Sequence, residues 1–482
     1  MRDFVTRIAA GAALSAIVVS GAAAQQAEPE DLLPETQSSE PAQSDTQSED
    51  QADAPAEAQG EASTQSFDEA FPPSVSEPVV QGDLDAEPKP SVLPWTVENA
   101  SALITIIEGI AVEGLDPADY DLQALQTLLA AGPSAELDTL ASKNFRWLVE
   151  DMRDGRTPMD AREQWFVVDT DRDTYRTADL LAEAVEGGDV AGTLAKLAPA
   201  HPDYARLKEE LANTPASEPV KRKLIRANMD RWRWLARDLG KQYLITNVPE
   251  YQLRLTVNDK IISTYRTIVG KPGRTATPQL AETVSGVVFN PTWTVPQSIV
   301  KGEGLGNRVL NNPAWARRNG YKATRGSNGW VTVVQQPGPG NSLGRMKLEM
   351  PNRHAIFFHD TPSRGLFKQS SRALSHGCIR TERALELAIT MAILGKGASK
   401  EEAIEIATSG EYTKVPIKKE MPAYITYFTM ATDINGEMAT FEDIYGRDAP
   451  VLASLDKPRV DNRSDEIDDE VIVIENNPLA GG

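Results

Sequence analysis

The chain has 482 residues, enough for two or three domains of ordinary size, and a formal net charge of −21. Seventeen acidic residues against one lysine fall in 25–90 and eight acids against three bases in 456–482, so residues 91–455 are close to neutral. The acidity belongs to the ends, no basic patch marks a nucleic-acid footprint, and a single cysteine excludes a disulfide scaffold.

Residues 1–24 have the make-up of an export signal. Arg2 and Arg7 give a positive start, Ile8 to Ser20 is small and apolar, and Gly21-Ala22-Ala23-Ala24 supplies a cleavage site of the A-x-A type. The apolar run is short for a membrane span of about 20 residues. Residues 25–92 are rich in Gln, Ser, Ala, Pro, Asp and Glu and cannot bury enough apolar surface to offset their ordering entropy. They are read as a disordered acidic linker, a solvated spacer with partner binding as the alternative. From Val97 the pattern turns helical, with Leu103, Ile106, Ile107 and Ile110 at three- and four-residue intervals. Asp116 before Pro117 reads as an N-cap. This pattern predicts a helical domain over 93–215, in which His201 is a helix-start or surface residue. After a loop at 213–220, residues 221–240 read as one more helix, its seven Lys/Arg on a wet outer side.

Beyond Gly240 the period shortens to two. "QYLITNV", "YQLRLTV", "IISTYRTIVG" and "VSGVVFNPTWTV" read as strands, with Asn258-Asp259 as a hairpin turn. Residues 296–345 are rich in Gly, Asn and Pro, and an ordered loop of that length is uncommon unless it is a lid or binding loop. Strand character returns in "HAIFFH" (354–359), and "ERALELAITMAI" (382–393) reads as a helix. "AYITYFTMATDINGEMATFEDIYG" (423–446) reads as two strands joined through Asn435-Gly436, and 456–482 as a disordered acidic tail. The expected fold class is α+β: a helical domain, then a mostly-β domain over 221–452, between disordered ends.

The lone cysteine stands in Ser375-His376-Gly377-Cys378-Ile379-Arg380, and His354, His359 and His376 all lie within 25 residues of it. His359 ends a strand pattern, and Cys378 precedes a helix whose N-cap reads as Thr381. A strand end facing a helix start brings imidazole and thiol toward hydrogen-bond reach. The thiolate is the nucleophile, and a free thiol of pKa about 8.5 is mostly protonated at neutral pH. A histidine takes that proton, and the positive end of a following helix favours the anion. Gly377 removes bulk where a carbonyl must approach, and the N–H groups of Gly377 and Cys378 are natural donors to an oxyanion. Two other readings stand beside this one. A lone cysteine is often a small buried hydrophobe. His354, His359, His376 and Cys378 are also zinc-ligand types, although without the paired spacing of such sites. His354 by itself reads as structural.

"HDTP" (359–362), "LF" (366–367) and "SSRALSHGCIR" (370–380) resemble the L,D-transpeptidase (YkuD-type) catalytic domain, in its large Gram-negative periplasmic variety with a helical scaffold domain. The likeness extends to "NMDRWRWL" (228–235), "IVGKPGRTATP" (268–278), "VVFNPTWTVP" (287–296), "QPGPGNSLGRMKLEMPN" (336–352) and "DIYGRDA" (443–449). "GLDPADY" (114–120) and "LAPAHPDYARL" (197–207) match the scaffold region. The resemblance implies a mostly-β catalytic domain with a capping subdomain at 296–345. It implies a periplasmic enzyme with thioester chemistry on peptidoglycan stem peptides and no metal or organic cofactor. Cys378 would be the nucleophile, His359 the general base, His376 a supporting residue and Gly377 a neighbour of the oxyanion hole. Arg380, Ser375, Phe357 and Trp293 would contact substrate or position loops. The product implied is a 3→3 cross-link between diaminopimelate residues, in a protein that carbapenems acylate. The alternatives are another acceptor for the same acyl-enzyme (L,D-carboxypeptidase or protein anchoring) and a non-catalytic wall-binding scaffold. Phe357 stands where relatives carry tyrosine. Only 213–220 stands where relatives carry a peptidoglycan-binding module, so the acidic linker gains interest as a contact for wall or envelope proteins.

Overall fold

The structure is a computed structural model that describes residues 91–167, 174–302, 304–419 and 421–461. The expected export signal, the linker as far as residue 90 and residues 462–482 of the tail lie outside the described residues. The chain begins with α1 (Val97–Gly109), capped by the Thr96 hydroxyl, which accepts from the Asn99 N–H. A 3-10 turn at Pro117–Tyr120 is capped by Asp116 as the sequence predicts. There follow α2 (Leu122–Ala131), α3 (Ala135–Arg153), α4 (Thr177–Glu186), α5 (Val190–Ala195), α6 (Pro202–Asn213) and α7 (Pro219–Arg233). Leu103, Ile107, Phe145, Leu148 and Leu181, spaced for one face of each helix, are fully buried together. His201 is the N-cap of α6, its Nδ1 accepting from the Asp203 N–H.

Helix α7 corrects one expectation. Its cations do not all face water: Arg231 and Arg233 are 3% and 1% exposed. Arg231 donates to Asp448 at 2.6 Å and to the Arg447 carbonyl at 3.0 Å, and Arg233 donates to Tyr204 Oη at 2.7 Å. Buried Asp230 accepts from the N–H groups of Arg156 and Thr157. Burial pushes its carboxyl up, but Arg233 and Arg162 hold it below the usual carboxylate range. The helix is a charged hinge-pin between the helical region and the β domain, and its charges survive burial because each is paired.

The β domain comprises β1 (Gln242–Asn247), β2 (Gln252–Val257), β3 (Lys260–Gly270), β4 (Leu280–Thr283), β5 (Gly286–Phe289) and β6 (Trp293–Thr294). It continues with β7 (Tyr321–Arg325), β8 (Val331–Gln335), β9 (Met346–Glu349), β10 (Phe358–His359), β11 (Ala373–Ser375) and β12 (Ile379–Thr381). The last strands are β13 (Thr413–Pro416), β14 (Pro422–Thr426), β15 (Met430–Thr432) and β16 (Met438–Thr440). Most join one sheet in the order β13-β5-β9-β10-β12-β3-β2-β1-β14-β4, with β11 added on β3. Asn258 and Asp259, at φ 48° and 60°, make the β2–β3 turn that their sequence predicts.

Residues 296–345 are not one long loop. They hold α8 (Gln297–Gly302), α9 (Leu305–Asn311) and α10 (Pro313–Arg318), packed on a separate sheet of order β6-β8-β7. Val295, Val300, Val309, Ala316 and Val333 form this cap's own small core. After β12 come α11 (Ala384–Leu394), α12 (Lys400–Ser409) and α13 (Asp448–Leu455). Residues 456–461, which the sequence places in the tail, run back over the helical region. Arg459 is buried with Asp151 at 3.0 Å, and its N–H donates to Asp119 at 3.0 Å. Lys457 and Asp461 accept from Arg156 and Trp147. A second tie is Trp165, which bridges to Gln279 beside the Phe166 N–H bond to the Gln279 carbonyl.

Candidate active site

Strands β10 and β12 run parallel, with Phe358 beside Ile379 and His359 beside Arg380. Phe358 and Ile379 are fully buried in the main core. By alternation, His359 and Arg380 then share the other face. Cys378, the residue before β12, is half-buried. Its thiol donates to the Ala355 carbonyl at 3.5 Å. Ala355 itself holds a φ of 52°, unusual for a residue with a side chain.

The sequence places a helix start directly after the cysteine, with Thr381 as N-cap; the structure does not. Ile379–Thr381 pairs with β10 on one side and β3 on the other, so its backbone groups are used in ladders. The helix begins only at Ala384. The positive charge beside the sulfur is therefore the Arg380 guanidinium and not a helix terminus. Burial lowers the pKa of Arg380, while Cys378 raises it. Its Nε is buried with no hydrogen-bond partner among the described residues.

His359 is 6% exposed, with Nδ1 2.6 Å from the Asp360 carbonyl. A carbonyl can only accept, so Nδ1 carries the proton and Nε2 the lone pair. Burial first, then Arg380, pushes the imidazole down to about 3, against the opposing pull of the Asp360 carbonyl. The ring is neutral at pH 7. Lys347 faces His359 from β9, its ammonium 4.0 Å from the Phe357 ring centre. Phe357 is 8% exposed and 5.6 Å from His359, a wall of the site with no hydroxyl to offer.

The turn before the sulfur is fixed by bonds that were not foreseen. Ser375 is 2% exposed: its hydroxyl donates to the Cys378 carbonyl at 2.7 Å and accepts from the Gly377 N–H at 3.1 Å. Ser375, expected to meet substrate, thus serves the turn. The Gly377 N–H, expected at the oxyanion, is already taken. What the turn requires of Gly377 is its φ of 118°, where a side chain would be strained. Buried Thr277 donates to the Gly377 carbonyl at 2.7 Å and accepts from the Gly270 N–H at 2.9 Å. Tyr445 donates to the Gly270 carbonyl at 2.6 Å and accepts from the Thr277 N–H at 3.2 Å. Thr277 and Tyr445 lie in "IVGKPGRTATP" and "DIYGRDA"; only contact across the fold shows their use.

The remaining expected residues spread out. His376 is exposed, and Trp293 is half-buried in β6, packed against both the main core and the cap's core. His354 is 2% exposed and packs with its ring tilted 40° against Phe166 at 4.2 Å, contributed from outside the β domain. Burial and then Arg353 push its imidazole down to about 4. Among the described residues no group of three His, Cys, Asp or Glu side chains is arranged to hold a metal ion. A cavity of about 410 Å³ lies elsewhere, lined by His201, Trp232, Glu250, Arg254 and Phe428 among others. Arg254 answers Glu250 there with bonds of 2.6 and 2.7 Å, and neither Cys378 nor His359 reaches it.

Comparison with known proteins follows the same division. The L,D-transpeptidase catalytic domain (YkuD) family matches residues 241–417, and the Scaffold domain family matches residues 93–211. A curated Haemophilus influenzae protein named "Putative L,D-transpeptidase" is 30% identical over 223 residues. The match covers 43% of this chain and 45% of the relative, so the chain spans under half of that protein's length. Solved structures of an L,D-transpeptidase from Mycobacterium smegmatis and of a cysteine-to-serine variant from Enterococcus faecium are 12% and 14% identical. They cover 39% of this chain and 58% and 50% of theirs, with TM-scores of 0.20 and 0.19, too low to carry an argument. From the two family matches, the chain carries an L,D-transpeptidase catalytic domain of the YkuD family joined to a Scaffold domain.

Proposed function

We propose that the protein is an exported, periplasmic L,D-transpeptidase that joins peptidoglycan stem peptides 3→3 through an acyl-thioester on Cys378. The pairing of His359 with Arg380, on the strand that Cys378 leads into, carries this reading. Nε2 of neutral His359 takes the thiol proton as sulfur attacks the carbonyl carbon at the L-centre of diaminopimelate in a donor tetrapeptide. Arg380, its Nε without a partner, steadies the thiolate and then the negative oxygen. The C–N bond to the terminal D-alanine breaks, and the imidazolium returns its proton to the leaving amine. The side-chain amine of a second diaminopimelate then attacks the thioester, gives its proton to His359 and releases the thiol. Cys378, His359 and Arg380 are the groups of this chain that take part. Carbapenems, which acylate the thiol of the family, should label Cys378 faster than serine-directed penicillins.

Incubation with purified muropeptides tests the reading by mass spectrometry. The expected product is a 3→3 dimer with one D-alanine released per link. Tripeptide without dimer would make water the acceptor, and a wall-binding protein with no acyl adduct at Cys378 would overturn the catalytic reading altogether.

A further inference from the structure

We infer that the cap is an electrostatic docking surface for the carboxylate-bearing peptides of the wall polymer, separate from the groups that do the chemistry. The identity of the polymer rests on the proposed function; the charge of the surface does not. Residues 296–345 hold seven Lys/Arg and one acid, in a chain whose net charge is −21. Lys301, Arg308, Arg317, Arg318, Lys322 and Arg325 are all exposed. None of the six has a carboxylate partner among the described residues. Exposed lysines elsewhere do pair, as Lys196 with Glu183, Lys221 with Glu210 and Lys414 with Glu349. With no carboxylate partner among the described residues, these six cations make a like-charged surface that a polyanion relieves.

Two of them are also held in place. Lys301 lies 4.6 Å from the Trp330 ring centre, and Arg308 lies 4.0 Å from that of Trp315, itself stacked on Tyr321 at 5.5 Å. Side chains already ordered on aromatic faces lose less entropy when a ligand arrives. A small anion gains little at exposed cations. Several carboxylates on one polymer gain far more, because after the first contact the rest bind at high effective concentration. The surface also leads toward the site. The cap returns to the sheet at β9, whose Lys347 faces His359.

Full chain carrying Cys378→Ala, which cannot react, is sedimented with purified sacculi at about 50 and about 300 mM salt, which spans strong and weak screening. Reversal of four cap charges (Arg317→Glu, Arg318→Glu, Lys322→Glu, Arg325→Glu) should weaken retention at least tenfold at low salt and remove most of its salt dependence. An unchanged melting temperature establishes that the variant is folded. Reversal of Lys241, Lys260, Lys396 and Lys418 to Glu should change retention less than twofold. Equal losses in both variants, or none in the first, would overturn the assignment. So would cap-dependent binding to phosphatidylglycerol vesicles with sacculus retention intact, which would make the partner a membrane. Because the nucleophile is absent, acyl transfer can fail in the wild type while docking stands, and the reverse.

Discussion

His359 loses most of its hydration on folding and faces Arg380, so it stays neutral far below the pH at which a free imidazole protonates. Acylation of Cys378 should therefore show no acid limb near pH 6.5; a pH–rate profile that bends there would contradict a neutral base. The same shift governs stability. Between about pH 6.5 and 3 the unfolded chain binds a proton at His359 that the folded chain does not. Its contribution is whole above the unfolded pKa and is lost as pH falls through that window. His354, lowered to about 4, acts in the same direction. Thermal melts should thus show a smaller loss between pH 7 and 4.5 in His359→Gln than in the wild type. As a base, His359 should be worth about 10²–10⁴-fold in acylation rate, and an unchanged rate in His359→Ala would remove it from the mechanism.

At the scale of elements, the turn 375–378 depends on hydrogen bonds from β3 and the segment after it. Thr277→Val leaves the Gly270 N–H and the Gly377 carbonyl unpaired and should cost about 1–3 kcal/mol. Acylation should slow about tenfold or more, since misplacing a reacting atom is costly. Thr277→Ser keeps both bonds and should restore the rate, which a general loss of stability would not explain. Gly377→Ala forces a side chain to φ 118° at a cost of order 1–3 kcal/mol and should slow acylation likewise. The hairpin at Asn258-Asp259, the cap at Asp116 and the helix from Ala384 were legible because each is coded by neighbouring residues. The cap's three helices and three strands were not. Its elements are two to seven residues long, too short for periodicity to show among glycines and asparagines.

Across the whole molecule, buried ion pairs hold the helical region to the β domain. Arg231 reaches Asp448 in α13, and Arg459 reaches Asp151 in α3. Truncation after Leu455 removes Arg459 and leaves the Asp151 carboxylate buried, and breaking such a pair costs about 3–5 kcal/mol. Truncation after Asp461 keeps the strap and should melt close to the full chain. Equal melting temperatures for the two truncations would show that the strap contributes nothing.

By itself the sequence determined the order of helical and β regions, the helix caps and tight turns, and the motif that singles out His359 and Cys378, because local periodicity and a rare residue pattern need no distant partner. Only the tertiary structure decided which charges are buried in pairs, that Arg380 and not a helix end faces the sulfur, and that Ser375, Thr277 and Tyr445 hold the turn before Cys378. Those outcomes depend on strand pairing between residues far apart in the chain, and nothing in the identity of either partner specifies the register.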